Sequence, residues 1–119
     1  MRRLLPFVAA LVVAAPPTAY AVLSATKLTG TTGPGFTITV KKGGTKVRTL
    51  TAGRYTLTVS DRSSAHDFVL TGPGIRNRQI TGLAFRGTKT VTVTLKKGRY
   101  EYYCRPHRSV GMRGFITVR

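Results

Sequence analysis

From residue 36 onward, apolar and polar residues alternate with a period of two along much of the chain. Phe36, Ile38 and Val40 alternate with Thr37 and Thr39, and Tyr55, Leu57 and Val59 alternate with Thr56 and Thr58. Val91, Val93 and Leu95 alternate with Thr90, Thr92 and Thr94, Tyr100, Tyr102 and Cys104 share a face, and Ile116 and Val118 share another. Such alternation predicts half-buried strands, and threonine suits their outer positions because it is β-branched and polar. Turn signals separate the runs: Gly33-Pro34-Gly35, Lys42-Gly43-Gly44, Ala52-Gly53, Gly72-Pro73-Gly74 and Lys97-Gly98. No stretch of helical period competes. Short strands with regular turns over about 100 residues predict a single all-β domain, an antiparallel β-sandwich. Residues 22–35, rich in Thr and Gly, read as a first edge strand with a loose lead.

The first 21 residues break this pattern. Arg2 and Arg3 precede an apolar run from Leu4 to Ala15, then Pro16-Pro17, then the small-x-small sequence Ala19-Tyr20-Ala21. This reads as a secretory signal peptide cleaved after Ala21, with 22–119 as the domain that works outside the cytoplasm: periplasmic, cell-surface or secreted. A retained anchor is the alternative.

The chain has 119 residues, enough for one domain, with 20 Lys and Arg against 3 Asp and Glu. The net charge is +17, and loss of Arg2 and Arg3 takes it to +15. The only carboxylates are Asp61, Asp67 and Glu101, too few for a Ca²⁺ cage or a paired-carboxylate glycosidase. A single cysteine excludes an intrachain disulfide, and in an oxidising compartment a lone thiol is a liability unless something occupies it.

The scarce residues converge. Cys104, His107 and Met112 spell Cys-x2-His-x4-Met at the junction of the last two strands, and the other histidine, His66, lies upstream. Given Cys104, composition alone would put His at +3 and Met at +8 roughly once in 3,500 trials. A thiolate, two imidazoles and a weak axial thioether form the blue-copper ligand set, acceptable to both Cu(I) and Cu(II). Zinc is the competing metal, but it has no use for a thioether.

The stretch Tyr102-Tyr103-Cys104-x-Pro106-His107-x4-Met112, followed by Gly114 and a closing strand, resembles the ligand loop of the plastocyanin and pseudoazurin branch of the cupredoxins. The resemblance is specific over 99–118 and weaker over 53–72. It implies a Greek-key β-sandwich of about eight strands with one type 1 copper at one end. It implies Cys104 as the thiolate ligand, His66 as the buried imidazole, His107 as the imidazole reaching the surface and Met112 as the axial sulfur. Asp67, Tyr103 and Pro106 are the further positions it marks, beside the ligands or on a route for the electron. Tyr103 matches a side-facing electron route, and a packing role is the alternative. These proteins usually carry Asn where this chain has Asp67. There the backbone bonds the Cys sulfur and the side chain ties two loops together; a carboxylate in its place should favour Cu(II) and lower the potential.

These readings lead to a one-electron carrier, not an enzyme, with a copper carrier or buffer as the alternative. An oxidase would need further copper centres, and no spare histidine remains to build one. Arg105, Arg108 and Arg113 surround the ligands, which implies redox donors and acceptors with an acidic docking face, or an anionic membrane or wall surface. Nucleic acid is not expected, given the export signal, and a monomer is.

Overall fold

The computed structural model describes residues 6, 8–14 and 25–119. The basic start of the expected signal peptide and its cleavage pattern lie outside the described residues. No helix among the described residues is long and apolar enough to cross a membrane.

Among the described residues ten strands follow in order: β1 Thr26–Thr32, β2 Ile38–Lys42, β3 Thr45–Lys46, β4 Thr49–Leu50, β5 Gly53–Asp61, β6 Phe68–Gly72, β7 Ile75–Thr81, β8 Gly87–Leu95, β9 Gly98–Tyr103 and β10 Arg113–Val118. One sheet has the order β3-β2-β1-β5-β8 and the other β4-β10-β9-β6-β7. The period-two pattern holds in β5, where Tyr55, Leu57, Val59 and Asp61 point inward. In β8 Val93 and Leu95 are buried while Thr88, Thr90, Thr92 and Thr94 face solvent. Leu57, Val59, Val93 and Leu95 from the first sheet share one core with Phe68, Leu70, Tyr100, Tyr102, Ile116 and Val118 from the second. Inside it, the Phe68 and Tyr102 rings stack with centroids 5.9 Å apart. The fold is the all-β sandwich that the alternation predicts.

Three details differ from the expectation, each for a reason beyond the reach of local pattern. Most pairings are antiparallel, but β1 pairs parallel with β5, and β10 with β4. Both follow from the segment 45–50, which crosses from one sheet to the other between β3 and β4. β1 is not an edge strand, since β2 and β5 flank it on either side. Phe36 lies outside β2, in a bend, and is 68% exposed.

Candidate metal centre

The site is assembled from two connections at one end of the sandwich. His66 ends the turn between β5 and β6, its backbone N–H donating to the Ser63 carbonyl at 3.3 Å. Cys104 directly follows β9. From there the chain folds back on itself: the His107 N–H donates to the Cys104 carbonyl (3.3 Å), and the Met112 N–H donates to the His107 carbonyl (3.1 Å). The loop closes when the Cys104 N–H donates to the Met112 carbonyl at 3.1 Å. A short 3-10 turn, Arg108–Val110, ends at Gly111 with φ of +93°, a left-handed backbone that glycine adopts without a Cβ clash. The spacing Cys-x2-His-x4-Met is thus the length of one tight loop.

His66 Nδ1 and His107 Nδ1 are 3.0 Å apart, and Cys104 Sγ lies 3.7 Å from the first and 3.6 Å from the second. Three lone-pair donors therefore converge on one point. With bonds of about 2.0 Å to nitrogen and about 2.3 Å to sulfur, a trigonal ion would hold its donors about 3.5–3.7 Å apart. The cluster fits such an ion with little adjustment. His66 and Cys104 are buried, His107 is half-buried, and Met112 is buried in the same loop. Burial pushes the Cys104 thiol up, with the Asp67 carboxylate adding to the rise and backbone hydrogen bonds from Asp67 and His107 opposing it. A metal must displace that proton on entering.

Asp67 is fully buried and knots three segments together. Its Oδ1 accepts the Arg105 backbone N–H at 2.7 Å, and its Oδ2 accepts Arg105 Nε at 2.7 Å and Gln79 Nε2 at 3.2 Å. Its carbonyl accepts the Thr32 hydroxyl at 3.2 Å. The ligand loop and β7 thereby meet at its carboxylate, and β1 at its backbone carbonyl. Glu101 does the same from the other side, binding Arg108, while Arg113 Nη1 lies 3.6 Å from its Oε2. Pro106 is exposed in the loop. Tyr103 is 5% exposed; its hydroxyl donates to Asn77 Oδ1 at 3.0 Å, and the Arg108 guanidinium covers its ring at 4.2 Å.

Sequence reasoning missed two contributors. The exposed Phe36 ring stands edge-on to both histidines, 4.6 Å from the His107 centroid and 5.7 Å from that of His66. Gly33, at φ of +73°, lets His66 approach so closely that a Cβ there would fall 2.9 Å from His66 Cδ2. The Gly33-Pro34-Gly35 turn signal marked the place, but nothing in it spoke of the metal.

A thiolate and two imidazoles at the end of a two-sheet sandwich, with a thioether in the same loop, define a mononuclear copper protein of the type 1 class. The family model described as copper binding proteins, plastocyanin/azurin family, matches residues 34–119, and the chain belongs to that family. Plastocyanin from Daucus carota is 55% identical over 29 residues, covering 24% of this chain and 29% of that protein's length. Rusticyanin from Thiobacillus ferrooxidans shares the fold, with a TM-score of 0.55 at 22% identity over 78% of this chain and 76% of that one. A mutant rusticyanin gives 0.57 at 20% identity over the same shares. The cofactor is one type 1 copper ion.

Proposed function

We propose that this protein is a one-electron carrier that works outside the cytoplasm and is not itself an enzyme. Copper, when bound, supplies the Cu(I)/Cu(II) couple. His66, Cys104, His107 and Met112 would hold it. The observation that carries the reading is the near-trigonal gathering of three donor atoms in a buried pocket, with only the His107 ring half-exposed. Donors already in place need little movement when the charge on the site changes, and the loop hydrogen bonds and the two buried carboxylates hold them there. The His107 edge, with Phe36 beside it, is the contact point for an electron. Tyr103 serves packing, because Arg108 covers it.

Copper delivery by ligand exchange would need donors open to a partner, and two of the three are buried. The donor and acceptor would bring acidic faces to a surface whose cations, among the described residues, are all exposed. Their association should slow as salt screens charges beyond about 10 Å at 0.1 M.

The test is the visible spectrum after one equivalent of Cu(II). An intense blue band, bleached by ascorbate and restored by an oxidant, is expected. Cys104→Ser should remove the band entirely, and an intact band in that variant would falsify the ligand assignment. Met112→Leu should retain copper and raise the potential, measured by voltammetry.

A further inference from the structure

Where residues 45–50 cross between the sheets, two open cavities of about 200 and 310 Å³ adjoin. They share Lys46, Val47 and Arg48, so this segment borders both, and the two are treated as one grooved region at the seam. Lys42 lines the first and Arg113 the second. β3 is the free edge of one sheet and β4 that of the other, so the groove follows the seam between them.

Its charge is uncompensated. Among the described residues no carboxylate comes within 4.0 Å of Lys42, Lys46 or Arg48, and only Arg113 has an acidic neighbour, Glu101 at 3.6 Å. Lys41 stands directly opposite Lys46 across the β2–β3 pair. Like charges so placed repel and destabilise the pair unless an anion lies between or above them. All three side-chain carboxylates are buried, and of them only Glu101 reaches a cation of this lining, Arg113.

We infer that this groove is a binding site for a linear polyanion of phosphate chemistry, held by Lys42, Lys46, Arg48 and Arg113. Thr45 and Thr49 in the lining add hydroxyl donors. An acidic peptide would also need an apolar anchor to fix it. The only exposed large apolar side chain in the lining is Phe115, and guanidinium groups flank it: Arg99 at 3.9 Å and Arg113 at 5.4 Å from its centroid. The same cover denies a nucleobase a stacking surface. A chain with a charge on every unit needs neither, and Lys and Arg side by side suit its oxygens. The site narrows the expectation of an anionic surface partner to one face, and it does not depend on copper cycling.

The test is calorimetric titration of the copper-loaded protein with inorganic polyphosphate. The triple variant Lys42→Ala, Lys46→Ala, Arg48→Ala is compared with Arg54→Ala, Arg76→Ala, Lys89→Ala, which removes equal charge from other faces. The groove variant should bind at least tenfold more weakly, and the slope of log K against log salt should fall by about three. The control variant should lose less than threefold. Equal losses in both variants would mean diffuse attraction and would overturn the site. Tighter binding of poly-glutamate than of polyphosphate would overturn the phosphate assignment. Because all six residues are exposed, both variants should fold. Amide shifts confined to 42–49 and 113 on adding triphosphate provide a mutation-free check, and shifts spread over all faces would count against the groove. Should the blue band fail, the same titrations of the metal-free protein read every arm of this test.

Discussion

Two cation-rich regions of this molecule are treated in opposite ways. In the ligand loop, Arg105 and Arg108 are each held by a buried carboxylate, Asp67 and Glu101. In the seam between the sheets, Lys42, Lys46 and Arg48 have no such partner. The chain has three carboxylates in all, and two of them serve the loop. The difference teaches that charge pairing here acts as a positioning device. Where donor atoms must stay fixed, an arginine is tied to a buried acid; elsewhere the cations are left to solvent or to an external anion.

The contrast is sharpest at Asp67. Asp67→Ala orphans the Arg105 backbone N–H and cuts the link to Gln79, so the copper-free protein should lose about 3 kcal/mol in denaturant titration. Asp67→Asn keeps part of the hydrogen bonding while removing the charge, and its potential should rise; an unchanged potential would dismiss the electrostatic role of that carboxylate. Glu101→Gln should cost less, about 1–2 kcal/mol, because Arg108 and Arg113 are both about half exposed and can rehydrate. In the seam the sign reverses. Lys46→Ala should leave stability unchanged or raise it by a few tenths of a kcal/mol, since it relieves repulsion with Lys41. A loss above about 1 kcal/mol there would erase the distinction between the regions.

The smallest effect under ordinary conditions belongs to the core. Burial pushes the Tyr102 hydroxyl above its usual value of 10.0. The folded protein therefore holds that proton more tightly than the unfolded chain does. Its contribution is fully present below pH 10 and is lost as pH rises above it. Melting temperatures from pH 9 to 12 should fall more steeply for the parent than for Tyr102→Phe.

Much of this was legible in the chain. Cys104, His107 and Met112 announced themselves by scarcity and spacing, because one loop carries all three. The strands showed their period because one face of each meets a single core. What local pattern could not carry was long-range. Phe36 reads as a strand residue by alternation, and only the fold sets it against two histidines 30 and 71 positions away. The pairing of Arg105 with Asp67 joins residues 38 apart, and the interior place of β1 depends on β5, which arrives after three intervening strands.

That interior place has a kinetic side. The first strand in sequence order occupies the middle of one sheet, and the last, β10, lies between β4 and β9 in the other. β1 pairs with partners 29 residues downstream, as at Thr26 and Tyr55. The first sheet is therefore complete only when β8, residues 87–95, has joined, and the second only when residues 113–118 have. Topologies built on such distant pairings fold in milliseconds to seconds, slower than helical domains of the same size. The second sheet of such a chain stays open until its last strand docks between β4 and β9, so half of the sandwich waits on the final strand.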